Sequence, residues 1–480
     1  MDIGVSEGDE DIGPPAQDGV FSPEFLSSLD VTIGLLQAWR EEVRVRTSAD
    51  SPMSVSEVST GEAAEFLDFF LTRLAGRVDW YQRRCAIAQS APPSAEALAA
   101  QVVVGMLAPN LMRADYAGSF GALDAELSAL LSELMWLPPV EGLSMYSGTA
   151  ALHAAIASAA REAGRGGHSA DDLLVLVGPR AHSSIEKLCS FCGLRSDAVL
   201  RLPVIDVDLV QREVASMGRS VHIAALVGTA GDADTGTIDD FVAWKEMQRA
   251  LRLDGHTSRL ICDCVLSWPL LSLSREDVYQ AVSEPQEAES VASYLDSLSA
   301  MRTSDFWAID FHKWMGAPLG AAHLLLRREL LAHLAPTDMS DTLHESPHEF
   351  VVDTTRSAAG PAAALLNMQS QERMQVRRRA LRGLLLARRS ATLAAAVGWY
   401  ATPTQPHGPI VCLAPASSST AAKELCLSAA AAIERLGGPV GSVRWLPVEE
   451  RWVLRFCFVH PDAPLEVPEL VAAGIESVGG

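Results

Sequence analysis

Short apolar runs alternate with helical patterns through the middle of this chain, and that alternation constrains the fold more than any other feature. After Pro138-Pro139 the runs are Leu173 to Val177, Val221 to Val227, Leu260 to Cys262, Phe306 to Ile309 and Ala321 to Leu326. Strands that are apolar on both sides and separated by helices are typical of a largely parallel sheet covered on both faces. The sequence therefore predicts an α/β domain built on a mainly parallel sheet.

The 480 residues divide into four predicted parts. The first 30 residues hold eight acids and no Lys or Arg, so we expect an acidic, disordered tail. A basic, Leu-rich helix from Arg377 to Arg389 is expected to link the large domain to a small α+β domain, which has strand candidates at 410–413 and 452–459 around a helix at 421–436. The predicted parts are a tail at 1–22, a helical segment at 23–94, the large domain at 95–376 and the small domain at 377–480.

The net charge of -22 argues against nucleic acid and against an anionic membrane surface, because both need clustered Lys and Arg. No apolar run approaches the ~18 residues of a spanning helix. The eight cysteines sit mostly among apolar neighbours, and Cys189-Ser190-Phe191-Cys192 has no second pair or His cluster to support a metal site. Together with the acidic N-terminus, these features predict a cytoplasmic protein with buried thiols and no metal.

Two stretches favour binding of an anion and of a flat ring. Ser147, Gly148 and Thr149 open a predicted helix, where hydroxyls, free N–H groups and the helix dipole attract an anion. An ordinary helix cap is the alternative interpretation. His182 stands just before another helix, where its ring could lie against a planar ligand, although Ser183 and Glu186 also form a capping-box pattern that would be purely structural.

Asp263 ends an apolar strand, a costly position for an acid unless a cation or hydrogen-bond donors pair with it. Alternation along the strand puts Asp263 and Val265 on one face. A carboxylate beside a small apolar group suits a pyridine ring, with the acid at the ring N–H⁺ and the valine against the ring face. Thr229 ends the preceding strand and adds a polar group at the same sheet edge.

Lys313 follows an apolar run and precedes a Gly-Ala-Pro turn, so we expect it near a strand end, where α/β proteins carry reactive groups. In a partly apolar pocket a lysine pKa falls toward neutrality, and the neutral amine can form a Schiff base with an aldehyde. A solvated surface lysine is the alternative.

Taken in chain order, an anion site, a stacking ring, a buried acid and a reactive lysine describe a site for pyridoxal 5′-phosphate (PLP). At these residues the chain resembles the group II PLP-dependent amino acid decarboxylases, which include the aromatic amino acid and glutamate enzymes. The similarity covers roughly residues 99–374, and its motifs are Ala181 to Lys187, Gly228 to Asp239, Asp263, Asp310 to Lys313 and Thr354 to Gly360.

The resemblance implies a PLP-dependent transferase-like fold (fold type I) and a role for each matched position. It implies Lys313 as the Schiff-base lysine, Asp263 as the pyridinium partner and His182 as the stacking ring. Ser147, Gly148, Thr149 and His312 would neighbour the phosphate, Thr229 would face the cofactor edge, and Ser357 would reach the phosphate of the opposite subunit in a homodimer.

The chain departs from the family at two places. Family members usually have Asp-Ala-Ala where this chain has Asp263-Cys264-Val265, so a bulkier group packs the ring. Many family decarboxylases also carry a tyrosine on a mobile loop after the lysine, which returns a proton to the substrate carbon. Here no Tyr occurs between Tyr294 and Tyr400, and the expected loop at 334–351 offers His344 and His348 instead.

The resemblance thus predicts decarboxylation of an L-amino acid to an amine and CO₂. Two other PLP reactions remain open, namely decarboxylation coupled to oxidative deamination and carbon–carbon or β-eliminating lyase chemistry. A fourth possibility is a degenerate paralogue that holds PLP or a partner without turnover. The missing tyrosine supports this possibility, whereas the intact Lys313 and Asp263 argue against it.

Overall fold

A seven-stranded mixed sheet forms the centre of the large domain in the computed structural model. The structure describes residues 83–87, 89–112, 114–334, 355–416 and 420–478, all of which fall within one compact unit, Asp79–Gly480. The predicted tail at 1–22, most of the predicted helical segment at 23–94 and the loop histidines His344 and His348 lie outside the described residues.

The sheet confirms the predicted mainly parallel arrangement. Its strands run in the order β1-β7-β6-β5-β4-β2-β3, and β6, β5, β4, β2 and β3 are mutually parallel, whereas β7 is antiparallel to both of its neighbours. The strands are β1 (Val140–Met145), β2 (Leu173–Val177), β3 (Val199–Arg201), β4 (His222–Thr229), β5 (Arg259–Asp263), β6 (Phe306–Asp310) and β7 (Ala322–Arg327).

The apolar runs became strands because the sheet buries both of their sides. Every residue of β2, β4 and β6 is buried. The sequence pattern missed the two edge strands. β1 carries Glu141, Gly142 and Ser144, which dilute its apolar pattern, and β3 has only three residues, none of them fully buried.

Helices surround the sheet and begin at recognisable caps. Ser94, Asp206, Asp240 and Ser274 each accept a backbone N–H of the first turn with their side chain. The helices that precede or join the large sheet are α1 (Ala95–Leu107), α2 (Ala114–Ala117), α3 (Leu123–Met135), α4 (Gly148–Arg165), α5 (Ser184–Phe191), α6 (Val207–Ser216), α7 (Phe241–Leu253), α8 (Arg275–Ala281), α9 (Pro285–Ser297) and α10 (Ala359–Ser370).

A four-stranded antiparallel sheet follows in the order β10-β11-β9-β8. The predicted basic helix is the central part of a longer one, α11 (Glu372–Ala396), which connects the two sheets along the chain. The predicted domain boundary between residues 376 and 377 lies inside this helix and stays a prediction. The remaining elements are β8 (Trp399–Ala401), β9 (Ile410–Pro415), α12 (Thr420–Arg435), β10 (Ser442–Leu446), β11 (Arg451–Cys457) and α13 (Val467–Glu476).

Within the described part of the chain, no helix combines the length and the apolarity that a membrane crossing requires. Six of the eight cysteines are buried, as the sequence predicted. Cys192 is half-buried, and its Sγ lies 3.7 Å from His153 Nε2.

Candidate functional site

Three neighbouring parallel strands end at the same edge of the large sheet with a buried polar side chain. β4 ends at Thr229, β5 at Asp263 and β6 at Asp310, and their exposed fractions are only 2%, 4% and 4%. Thr229 is paired in register with Asp263 across the sheet. Polar groups gathered at the carboxyl ends of parallel strands are the usual setting of a binding site in an α/β fold.

Asp263 is a buried acid with unused hydrogen-bonding capacity. Burial raises the pKa of its carboxyl group, and the nearby Asp310 adds to that rise. Lys313 opposes the rise most strongly, followed by His182 and the backbone N–H of Val265. Its Oδ1 atom is buried and has no hydrogen-bond partner among the described residues, so it can accept a bond from a ligand.

Thr229 likewise has a buried hydroxyl without a partner among the described residues. Its backbone N–H donates to Asp239 Oδ2 at 2.9 Å, and the Trp244 indole N–H donates to the same oxygen at 3.2 Å. Gly178 leaves room for Asp239, because a Cβ there would come within 2.3 Å of Oδ2. Asp239 therefore fixes the end of β4. Asp239 ends one of the matched motifs, but its bonds to Thr229 and Trp244 were not predicted.

Lys313 lies half-buried in the loop that follows β6, three residues beyond the strand end. It is close enough to Asp263 and Asp310 to lower the pKa of both carboxyl groups against the effect of burial. The structure therefore brings the predicted lysine and the predicted acid together, and it excludes a fully solvated surface lysine.

The backbone of this loop is held by several donors. The N–H of Ala91 donates to the Lys313 carbonyl at 2.7 Å. The Met315 carbonyl accepts from Asn367 Nδ2 at 2.7 Å, from Arg379 at 3.0 Å and from Gln371 Nε2 at 3.2 Å. These donors come from α10, α11 and the junction between them, so side chains of these helices hold the lysine loop in place.

His312 and Asp310 lie near Lys313, and burial shifts the pKa of both side chains. Burial, with a smaller contribution from the Lys313 charge, lowers the pKa of His312 to about 4, so its ring is neutral at pH 7. Burial raises the pKa of Asp310 to about 6, against the opposing effects of Lys313 and of the Gly148 N–H. His312 Nδ1 lies 3.6 Å from Asp310 Oδ1. Asp310 could have been found by the signal that revealed Asp263, an acid ending an apolar run.

The N-terminus of α4 meets this cluster. The N–H of Gly148 donates to Asp310 Oδ1 at 3.0 Å. A Cβ at Gly148 would come within 2.5 Å of Val265 Cγ1, so only glycine allows this approach. Ser147 Oγ accepts the N–H of Ala150 at 3.1 Å, which is the ordinary helix cap that the sequence left open as an alternative. Thr149 is half-buried beside them, and a phosphate-binding role for this helix end stays a prediction.

His182 is exposed before α5, and its charge acts on the pKa of Asp263. The N–H of Ser184 donates to His182 Nδ1 at 3.2 Å, and the Ser184 hydroxyl lies 2.8 Å from the same nitrogen. The capping box predicted for Ser183 and Glu186 is wrong, because Ser183 makes no side-chain capping bond. The histidine itself takes that place, and this fixes its ring.

Ser357 is exposed, and its hydroxyl accepts the N–H of Ala359 at 3.2 Å. The preceding Arg356 is buried, forms an ion pair with Asp124 at 3.1 Å and donates to the Ser144 carbonyl at 3.0 Å. This buried ion pair was not predicted, because the two residues are 232 positions apart and no local sequence pattern links them. No cluster of His, Cys, Asp and Glu suited to a metal ion occurs among the described residues.

Comparisons with known proteins agree with this geometry at the level of the fold. The sequence matches no family model and no curated protein. The structure is similar to the Oryza sativa tryptophan decarboxylase solved with PLP and tryptamine, with a TM-score of 0.72 and 13% identity over 97% of this chain and 99% of that chain.

Two further solved structures are similar. One is the glutamate decarboxylase domain of a Vibrio parahaemolyticus diaminobutyrate-pyruvate transaminase and L-2,4-diaminobutyrate decarboxylase, with a TM-score of 0.70 and 18% identity over 97% of each chain. The other is the Rhodiola rosea 4-hydroxyphenylacetaldehyde synthase, with a TM-score of 0.70 and 13% identity over 95% of this chain and 99% of that chain. The fold type that the sequence resemblance predicted is confirmed.

Proposed function

We propose that this chain is a PLP-dependent carboxy-lyase that converts an L-amino acid to its amine and CO₂. The observation that carries the proposal is the buried Oδ1 of Asp263, which lacks a partner among the described residues and lies beside Lys313. A buried carboxylate oxygen that has no donor needs a ligand that supplies one. The structural relatives include decarboxylases of an aromatic and of an aliphatic amino acid.

The residues present fit PLP. Two buried oxygens without partners among the described residues, Asp263 Oδ1 and Thr229 Oγ1, face the same sheet edge as Lys313. Gly148 keeps the N-terminus of α4 close to Val265 and Asp310. When bound, PLP supplies an aldehyde that reacts with amines and a protonated pyridine that accepts electrons from the substrate.

Each side chain then has a defined task. Asp263 Oδ1 would hold the proton on the pyridine nitrogen, and Thr229 Oγ1 would bond to the ring edge. His182, fixed by Ser184, would cover one ring face, while Val265 would pack the other. Lys313 Nζ would bind the aldehyde group of PLP and release it to the substrate amine.

The phosphate would be bound at the N-terminus of α4. Ser147, Gly148, Thr149 and His312 would be its neighbours. Asp310 Oδ1 already accepts the Gly148 N–H, and burial raises the pKa of this carboxyl group to about 6. A phosphate dianion bound beside Asp310 would raise this pKa further, because like charges repel, so the carboxyl group would take up a proton as the phosphate binds.

The working unit in this proposal is a cytoplasmic homodimer with its site at the interface, where Ser357 would reach the phosphate of the opposite subunit. An exposed apolar face on α1 supports an interface, since Leu98, Val102, Val103 and Leu107 are each between 38% and 46% exposed. The charge of -22 fits a small-molecule substrate better than a polyanionic one.

The test is to incubate the purified protein with a panel of L-amino acids and to measure CO₂, amine, aldehyde and H₂O₂ separately. Lys313→Ala should abolish every product and the borohydride-reducible adduct. Lys187→Ala, at an exposed position on α5, is the matched control and should leave both unchanged. Peptide mapping that finds the reduced label on another lysine would overturn the site, and a bound cofactor without any product would indicate a degenerate paralogue.

A second candidate is decarboxylation coupled to oxidative deamination, in which the amino acid, O₂ and water give an aldehyde, CO₂, ammonia and H₂O₂. Two observations favour it. No Tyr lies between Tyr294 and Tyr400, and one structural relative is an aldehyde synthase. Equal amounts of H₂O₂ and aldehyde in the same assay would establish it over simple decarboxylation.

A further inference from the structure

A cavity that none of the residues proposed to hold PLP lines runs along α11. It has a volume of about 830 Å³. Its walls are the end of α8 with the turn after it, one side of α11, and residues 461–465 of the C-terminal part. Ligand pockets of proteins usually enclose roughly 300–1,000 Å³, so this one has room for a molecule of nucleotide size.

The lining of this cavity is strongly basic in a chain that is otherwise acidic. Five arginines line it against three acids, Asp277, Glu287 and Asp462. Asp277 has partners of its own, because its Oδ2 accepts hydrogen bonds from the backbone N–H and from the hydroxyl of Ser274, at 2.8 and 2.5 Å. The arginines all belong to α11 and are Arg377, Arg378, Arg379, Arg382 and Arg389.

Some of these arginines are engaged elsewhere. Arg379 donates to the Met315 carbonyl of the lysine loop and to Gln371 Oε1, and burial lowers its pKa to about 10. Arg389 forms an ion pair with Glu469, which does not line the cavity. These two side chains have structural partners and are not needed for a ligand.

The other three keep N–H donors that are not used, although Arg382 also donates to the Ala463 carbonyl and the Arg377 guanidinium lies 5.5 Å from the centre of the Trp136 ring. The Nε atoms of Arg377 and Arg382 are buried and have no hydrogen-bond partner among the described residues. Among the described residues, Arg377 forms an ion pair with Asp277 alone, at 3.9 Å. Arg378 is exposed and forms no ion pair within the same part of the chain. Guanidinium groups with free N–H donors bind phosphate in a bidentate manner, and three of them between residues 377 and 382 of α11 suit a ligand with more than one negative charge.

Apolar side chains line the same cavity between and beside the arginines. They are Val282, Leu381, Leu385, Met374 and Leu465. An inorganic ion would leave these side chains uncovered. A ligand with a charged end and a flat or apolar end would contact both kinds of side chain.

We propose that this cavity binds an organic phosphate of nucleotide size, with its phosphates on Arg377, Arg378 and Arg382. The site is independent of the proposed catalytic function. The ligand enters from the open side at Arg378, while its apolar end lies against Leu381 and Leu385.

The test is calorimetric titration of the full-length protein, as purified, with ATP in the absence of Mg²⁺, at low and at high salt. Pyrophosphate and citrate serve as further probes, the first lacking an apolar end and the second carrying carboxylates. We expect one ATP per chain, weaker binding of pyrophosphate and of citrate, and a loss of affinity as salt increases.

Arg378→Glu should weaken ATP binding at least 10-fold, and a circular dichroism spectrum equal to that of the wild type would show that this variant, changed at an exposed position, is folded. The matched control is Arg212→Glu, which makes the same charge change at an exposed position on α6 and should alter the affinity less than 2-fold. Absence of ATP binding to the wild type, an equal loss in both variants, or citrate binding as tight as ATP would each overturn the proposal.

Discussion

Replacing Asp310 by asparagine should stabilise the cofactor-free protein at neutral pH. Asp310 is 4% exposed, and the groups that face it are Lys313, His312, Asp263 and the N–H of Gly148. Asparagine has the same shape, and its carbonyl oxygen can still accept the Gly148 N–H. The substitution therefore removes the buried charge and little else.

The magnitude follows from the shift in the Asp310 pKa. Burial raises it from 3.8 to about 6. A shift of roughly two units corresponds to about 3 kcal/mol at 1.36 kcal/mol per unit. Because the pKa of this acid is higher in the folded state, ionisation costs the folded state stability. The penalty is nearly absent at pH 4, grows as the pH rises from about 4 to about 6, and is complete above that range.

The assay is urea unfolding of the cofactor-free protein at pH 4.0 and at pH 7.5, on either side of the sequence pI of 4.9. The stability difference between Asp310→Asn and the wild type should grow by about 2–3 kcal/mol in favour of the variant from the lower to the higher pH. Asp208→Asn, exposed on α6, removes the same formal charge and is the control. A difference for Asp310→Asn that is equal at both pH values would refute the reasoning.

Three further predictions concern the proposed activity. Asp263→Asn should still bind PLP but lose about 3 kcal/mol or more of transition-state stabilisation, at least ~100-fold in turnover, and wild-type turnover would exclude the role. His344→Phe and His348→Phe test the proton donor outside the described residues: one of them should shift product from amine to aldehyde while CO₂ release persists, and unchanged ratios in both would exclude a histidine. Val102→Glu, on the exposed face of α1, should weaken the homodimer in sedimentation velocity, and a fully active wild-type monomer would refute the dimer.

The sequence predicted the centre of the fold better than its edges. Leu173–Val177 was delimited correctly, because a buried strand between two others must be apolar throughout. β1 was missed, since its polar residues are compatible with an edge, and the antiparallel direction of β7 was not predicted. Strand direction depends on the path of the connection, which leaves no mark in the strand's own residues.

The candidate site was predictable where one residue carries the signal. Asp263 and Lys313 were found because a charged group at the end of an apolar run is costly, and the structure brings them together. The contacts that hold them were not predictable. The three donors to the Met315 carbonyl come from side chains 52 to 64 residues further along the chain, and only tertiary packing brings them there.

The pairing of β1 with β7 has a consequence for synthesis of the protein. β1 lies at the edge of the sheet and has β7 as its only neighbour there, yet β7 begins 182 residues later in the chain. At roughly 5–20 residues per second, translation would need about 10–40 s to supply that partner. During this interval the backbone donors and acceptors of β1 lack their partner strand and are open to pairing with other chains. Its Glu141, Gly142 and Ser144 make it a poor template for other strands, which would protect the nascent chain from aggregation until the sheet can close.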